Sequence, residues 1–107
     1  MGIFVPGDIH YADLPEPLKS RPVVVLSEES INTARGKVVA AIITTRVRGN
    51  SFEIPVGGQE GLSKESVIST TDIYTIDNRV LSSRKGSLSA EKMELLRERL
   101  KLLFAIP

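Results

Sequence analysis

The sequence has 107 residues, 41% of them hydrophobic and 25% charged, and these values are typical of one soluble globular domain spanning residues 1–107. Fourteen basic and thirteen acidic side chains leave a formal net charge of +1, so a nucleic-acid site must come from local patterning. The absence of cysteine excludes disulfides and thiolate metal sites, and no signal segment or membrane-length apolar run is present, so we expect a cytoplasmic protein without a membrane partner.

The first half of the chain predicts three strands. Alternating residues indicate strands over 7–14, 21–27 and 37–48, and the prolines at 15 and 17 break the chain between the first two. The polar segment 28–36 predicts a turn with at most one turn of helix.

The second half predicts shorter strands and a terminal helix. After a Gly-Asn turn we expect a hairpin arm over 51–56, a flexible glycine loop over 57–61, a strand over 66–74, a helical or turn segment over 75–79, and a closing strand over 80–83. Ser89 predicts the N-cap of a helix over 90–104, whose apolar surface is wide enough to pack on the core or to serve as a dimer or partner surface. The predicted fold class is mostly β with a C-terminal helix, built as a small, strongly bent β-barrel.

The third predicted strand changes character along its length. If it stays extended, one face carries Ala40, Ile42, Thr44, Arg46 and Arg48, so apolar residues give way to a hydroxyl and two guanidinium groups. Pairing with the strand over 21–27 would place Arg21 and Thr44 at the rim of one barrel. Taken alone, Thr44 is also typical of a structural strand position, and the two arginines are typical of a solvated strand end.

Several motifs occur together in one order: Gly7-Asp8-Ile9, Arg21-Pro22-Val23-Val24-Val25-Leu26-Ser27, Val38 to Arg46, Gly61 to Val67, Thr75-Ile76-Asp77 and Leu88-Ser89. This ordered set resembles the MazF/PemK family of toxin endoribonucleases across nearly the whole chain. The resemblance implies a Src-homology-3-like barrel of the MazF/PemK/CcdB plasmid-maintenance-toxin type, a homodimer, and metal-independent, sequence-selective cleavage of single-stranded RNA by attack of its 2′-hydroxyl. It implies no cofactor, and it implies a cognate antitoxin that occupies the RNA groove.

The resemblance assigns the catalytic arginine to Arg21 and the catalytic threonine to Thr44. A guanidinium donates two hydrogen bonds to a phosphate and stays charged, and a threonine hydroxyl donates to a phosphoryl oxygen. The predicted RNA-binding residues are Thr45, Arg46, Arg48, Lys19 and Tyr74.

Two departures from the family pattern affect the expected RNA preference more than the chemistry. The loop before Arg21 is short and offers only Glu16 and Lys19 as charged residues. Thr71 stands where relatives often carry an acid, and Tyr74 where they often carry an arginine.

Alternative functions use other features of the chain. His10 is the single histidine and lies outside the positions that the family match marks, and paired aspartates such as Asp8 and Asp13 fall on opposite strand faces, so no metal site is expected. A CcdB-like gyrase inhibitor would use the apolar C-terminal end, and a non-catalytic RNA-binding barrel would follow if the changes at Thr71 and Tyr74 mark lost activity.

Overall fold

The computed structural model describes residues 3–107. It contains six strands, two α-helices and two short 3-10 turns over Gly58–Glu60 and Asn78–Val80. The elements are β1 (Asp8–Ala12), β2 (Arg21–Val25), α1 (Glu29–Arg35), β3 (Lys37–Thr44), β4 (Glu53–Val56), β5 (Ser66–Asp77), β6 (Leu81–Ser87) and α2 (Ala90–Leu103).

All six strands belong to one antiparallel sheet in the order β4-β5-β3-β2-β1-β6. Register shifts between Ala41 and Ile42 in the β3–β5 pair, and along the β1–β6 pair, interrupt the ladders, as β-bulges do where a sheet bends. The mostly-β class with a C-terminal helix is confirmed. The sheet is not closed, because β4 and β6 are edge strands in the described part of the chain.

Each face of the sheet carries its own apolar cluster, because alternate side chains of a strand point to opposite faces. One cluster packs under α2, and its buried members are Ile9, Val24, Ala41, Ile43, Ile54, Val56, Ile68, Leu88 and Leu96. The other lies beside the N-terminal segment, and its buried members are Phe4, Ala12, Val23, Val25, Val38, Ala40, Ile42 and Ile76. The central strands β2 and β3 are thus buried on both faces.

The segment 28–36 forms a helix of about two turns, which is longer than the sequence predicted. Glu28 caps α1 by accepting the Ser30 backbone N–H at 2.7 Å, and Gly36 ends it with a left-handed φ of 66°. Buried Asn32 attaches the helix by donating to the Phe4 carbonyl at 2.8 Å. A polar residue makes this attachment, so the hydrophobic pattern did not reveal the helix.

The prediction that β3 continues to Arg48 is wrong, since the strand ends at Thr44. The Glu53 carboxylate accepts the backbone N–H groups of Arg48 at 3.0 Å and Gly49 at 2.7 Å, which turns the chain. Arg46 and Arg48 therefore lie in a loop, and their expected place on the Thr44 face of the strand is not observed.

Other element boundaries also differ from the prediction. Residues 75–77 continue β5 along β3, where Asp77 pairs with Lys37, so the predicted helical or turn segment begins only at Asn78. The closing strand β6 extends to Ser87. β4 pairs with β5 rather than returning along β3.

The C-terminal helix α2 is confirmed, with Ser89 accepting the Lys92 backbone N–H at 3.2 Å. Leu96 is buried, whereas Leu102 and Phe104 are 63% and 59% exposed. Part of the wide apolar surface therefore remains uncovered in the single chain. Within residues 3–107, neither helix combines the length and apolar character that a bilayer span requires.

Candidate nucleic-acid cleft

Arg21 and Thr44 stand at the same end of adjacent antiparallel strands. The β2–β3 register pairs Val23 with Ile42, and extending it by two residues sets Arg21 opposite Thr44. Both residues line one cleft of about 360 Å³, formed by the start of β2, the end of β3 and the segment 62–66. The predicted pairing of the two strands is confirmed, and it brings a guanidinium and a hydroxyl to one cavity.

The Arg21 side chain is half-buried and incompletely satisfied. Its Nε is buried without a hydrogen-bond partner among the described residues. Its guanidinium carries a permanent positive charge, so an anionic acceptor such as a phosphoryl oxygen is a suitable partner in the cleft.

The Thr44 hydroxyl is oriented by a backbone N–H two residues further along the chain. Its Oγ1 accepts the backbone N–H of Arg46 at 3.1 Å, immediately after the strand ends. Because this bond uses a lone pair, the hydroxyl hydrogen remains available to donate. Arg46 therefore contributes to the site through its backbone N–H, which orients the Thr44 hydroxyl.

One wall of the cleft comes from the residues that precede Arg21. The Tyr11 hydroxyl donates to the Ser20 carbonyl at 3.2 Å, and the Ser20 hydroxyl donates to the Asp13 carboxylate at 2.7 Å. Lys19 adopts a left-handed φ of 64°, which a non-glycine residue holds only when its surroundings impose it. This wall therefore presents Lys19 beside Arg21 at the cleft.

The opposite wall follows the glycine-rich segment, which forms a 3-10 turn over Gly58–Glu60, and its predicted flexibility stays a prediction. The buried Glu60 carboxylate accepts the Gly57 N–H at 2.6 Å and pairs with the Lys92 ammonium of α2 at 3.0 Å. Gly61 has a φ of 87°, and a Cβ there would lie 2.2 Å from the Lys85 carbonyl oxygen. The chain is thus held against β6 and α2 just before it reaches the cleft.

The charge state of Glu60 follows from these contacts. Burial raises the pKa of Glu60, but the Gly57 N–H and the Lys92 ammonium outweigh burial and hold the pKa below its usual value. The carboxylate is therefore ionised at neutral pH and keeps its ion pair with α2.

Sequence reasoning missed Lys64 and Ser63, which both line the cleft from this wall. Their signal was present, since they lie inside the Gly61 to Val67 motif, but no role was attached to them. Lys64 is exposed and adds a third cation beside Lys19 and Arg21.

The predicted RNA-binding residues divide into two groups. Thr45 and Lys19 line the cleft. Arg46, Arg48 and Tyr74 do not, and Tyr74 pairs with Ala40, four residues before Thr44, or about 13 Å along the strand.

The electrostatics of the cleft favour an anion. Its described lining contains Lys19, Arg21 and Lys64 but no carboxylate and no histidine. No cluster of three potential metal ligands occurs among the described residues, at the cleft or elsewhere. Three cations and several hydroxyl donors around a cavity of this size can bind a phosphodiester backbone and stabilise charge on its phosphorus oxygens.

Comparison with known proteins relates this chain to one family. The family model described as PemK-like, MazF-like toxin of type II toxin–antitoxin system matches residues 5–104. Endoribonuclease MazF3 of Mycobacterium tuberculosis is 38% identical over 90 residues, which cover 84% of each chain. The solved Mycobacterium tuberculosis toxin MazF-mt6 has a TM-score of 0.84 and 35% identity, covering 94% of this chain and 98% of its own.

A more distant structure shares the fold. A mycobacterial endoribonuclease, solved in complex with its cognate antitoxin, has a TM-score of 0.83 at 21% identity and covers 96% of each chain. At that identity the likeness concerns the fold alone.

Proposed function

The chain belongs to the PemK-like, MazF-like family of toxins of type II toxin–antitoxin systems, and we propose that it is an endoribonuclease whose active site is the cleft between Arg21 and Thr44. The observation that carries the proposal is the position of these two side chains on paired strands at one cavity, with the Arg21 Nε unpartnered. The relatives named as endoribonucleases support it, since MazF3 aligns over 84% of this chain.

The proposed reaction uses the substrate's own 2′-hydroxyl. Its oxygen forms a bond to the adjacent phosphorus while the bond from phosphorus to the 5′-oxygen breaks, which leaves a 2′,3′-cyclic phosphate and a 5′-hydroxyl. Arg21 stabilises the charge that accumulates on the phosphoryl oxygens, and Thr44 donates its hydroxyl to one of them. Arg21 is also the proposed proton donor to the departing 5′-oxygen.

We propose that neither a carboxylate nor an imidazole of the protein removes the 2′-hydroxyl proton. The described lining supplies neither group, so solvent takes that proton. Catalysis then rests on positioning the 2′-oxygen in line with the leaving group and on stabilising charge, and neither task requires a metal ion.

Lys19, Thr45 and Lys64 are the proposed contacts to the phosphates and sugars that flank the cleavage position. Arg46, Arg48 and Tyr74 contact RNA that extends beyond the cleft, with Tyr74 able to stack on an unpaired base. Sequence selectivity is therefore proposed to depend on both groups.

Regulation and assembly follow from family membership. We propose that a cognate antitoxin neutralises the enzyme by covering the cationic cleft, that two copies form a homodimer, and that the enzyme acts on cytoplasmic mRNA. The exposed Leu102 and Phe104 supply apolar area for a contact with the antitoxin or with the second copy of the chain.

The test is incubation of the purified protein with a long single-stranded RNA in a chelating buffer, followed by mapping of the product ends. The proposal expects fragments with 5′-hydroxyl ends at a short recurrent sequence, lost in Arg21→Ala. The exposed Arg97 of α2 provides the matched control, because Arg97→Gln removes the same charge away from the cleft.

Two other outcomes favour the alternative functions. RNA that is bound but not cut would indicate a non-catalytic RNA-binding domain. Intact RNA together with trapped gyrase would indicate a CcdB-like inhibitor.

A further inference from the structure

The lining of the cleft contains an apolar row as well as its three cations. The β1–β2 register sets Tyr11 beside Pro22, and the β2–β3 register, extended by one residue, sets Pro22 beside Ile43. Cross-strand partners carry their side chains on the same face of a sheet, so these three residues form one row across three strands. All three line the cleft. A ligand there can therefore meet apolar surface and positive charge together.

Tyr11 supplies the accessible part of this row. The residue is 42% exposed, whereas Ile43 is 1% exposed and Pro22 is half-buried. Tyr11 is also the sole aromatic residue in the described lining of the cleft. The row therefore offers a ligand mainly the surface of one aromatic ring.

A hydrogen bond fixes this ring close to Arg21. The Tyr11 hydroxyl donates to the Ser20 carbonyl at 3.2 Å, and Ser20 directly precedes Arg21 in the chain. The side chain is thus held by the backbone of β1 at one end and by this bond at the other, so it loses little freedom when a ligand binds. Because the hydroxyl hydrogen is already used, the residue offers its ring rather than a donor.

A single-stranded nucleotide unit matches this combination. Its phosphate suits the cations of the cleft, and its flat base suits an exposed aromatic ring, on which unpaired bases stack. An acidic peptide would satisfy the cations and leave the ring without a flat partner. The residues so far assigned to the cleft contact phosphates and sugars, and none of them binds a base.

We propose that Tyr11 binds the base of a nucleotide next to the scissile phosphate, by stacking of that base on its ring. The assignment rests on the proposed endoribonuclease and makes Tyr11 a base-binding residue of the same cleft. The contact holds the RNA backbone in position at Arg21, and it takes no part in the proton transfers.

The test measures the coupling between the ring and one base. The probe is an oligodeoxynucleotide of the mapped cleavage sequence, which cannot be cleaved because it lacks the 2′-hydroxyl, and a set of versions that each lack one base beside the cleavage position. In the wild type, removal of the contacted base should weaken binding about tenfold. In Tyr11→Leu the intact probe should bind about tenfold more weakly, and the same base removal should then change affinity less than about twofold.

Two further variants separate the ring from other effects. Tyr11→Phe keeps the ring and loses the bond to Ser20, and it should retain most of the coupling. Ile31→Ala removes an exposed apolar side chain of α1 outside the lining of the cleft, and it should retain the coupling in full. Urea denaturation of each variant checks that the fold is preserved.

Fluorescence observes the ring directly. The chain has two tyrosines and no tryptophan, so Tyr74→Phe leaves Tyr11 as the one tyrosine. Emission from this variant should fall saturably as the intact probe is added, because the base stacks on the ring. The probe that lacks the contacted base should cause a smaller fall at saturation.

The outcomes distinguish this assignment from the proposed function. Equal effects of every base removal in the wild type and Tyr11→Leu would overturn the assignment, and so would a Tyr11→Phe variant that loses as much coupling as Tyr11→Leu, since the hydroxyl would then carry the effect through Ser20. Either result with a wild type that cleaves RNA leaves the endoribonuclease intact. A wild type that cleaves no RNA overturns the proposed function and this assignment with it.

Discussion

The Lys92 ammonium of α2 lies 3.0 Å from the Glu60 carboxylate, and both side chains are largely buried. This ion pair connects the C-terminal helix to the segment that leads into one wall of the cleft. Lys64 lines the cleft four residues after Glu60, so we expect this contact to help position that wall.

Glu60→Gln should lower both stability and cleavage. Loss of the carboxylate leaves the Lys92 ammonium without its partner, at a cost of roughly 1–3 kcal/mol in the free energy of unfolding measured by urea denaturation. The loosened wall should also raise KM for RNA. The exposed Glu94 of the same helix gives the control, Glu94→Gln, which should change neither quantity. Reduced stability with unchanged KM would show that the ion pair has no positioning role.

Lys64→Gln should weaken RNA binding and leave the chemical step nearly intact. An exposed lysine that meets a phosphate releases about one counterion, so the slope of log affinity against log salt should fall in magnitude by about one. Binding to a DNA analogue of the substrate, which lacks the 2′-hydroxyl, measures that slope without cleavage. Lys101→Gln, at the exposed end of α2, should leave the slope unchanged. The same slope in Lys64→Gln as in the wild type would remove Lys64 from the RNA interface.

The pairing of the strands that carry Arg21 and Thr44 was predicted from the sequence, but their register and the walls of the cleft were not. Alternation suggested two adjacent strands, and the family resemblance singled out the two residues, whereas the register that sets them opposite each other comes from the structure. The wall that presents Lys64 depends on Glu60 meeting Lys92 across 32 positions of sequence. No local pattern encodes such a contact.

The end of β3 was missed for a similar reason. Val47 and the flanking arginines continue the alternation that is typical of a strand. The Glu53 carboxylate nevertheless accepts the backbone N–H groups of Arg48 and Gly49, and the chain turns there. Asn32 likewise fixes α1 through the Phe4 carbonyl, a contact between residues 28 positions apart. In both places a polar side chain and a backbone group override the hydrophobic pattern.

Two replacements of Thr44 should distinguish the contribution of its hydroxyl to cleavage from the contribution of its side-chain shape. Thr44→Val keeps the branched side chain and removes the donor, and we expect kcat to fall by about 10²–10³. Thr44→Ser retains the hydroxyl and should preserve most of the activity. Single-turnover cleavage under saturating enzyme reports this step, and similar rates for Thr44→Val and the wild type would contradict the assigned role.

Asp77 should contribute to the loss of folding stability at low pH. Hydrogen bonds from the Arg79 guanidinium and backbone lower the pKa of Asp77 to about 2, from an ordinary value of 3.8. A lowered pKa means that the stabilisation is fully present above the ordinary value and is lost as pH falls through about 2. Asp77→Asn should therefore show a flatter loss of stability across this window in urea unfolding. An identical pH profile in both proteins would contradict the assignment.

The central claim is that Arg21 and Thr44 act on the same phosphate. The most direct test is a double-mutant cycle of single-turnover RNA cleavage by the wild type, Arg21→Ala, Thr44→Val and the double variant. Groups that stabilise one transition state together give strongly non-additive effects, so the double variant should be little slower than the slower single variant. Losses that multiply across the cycle would mean that the two side chains act independently, and would contradict the account.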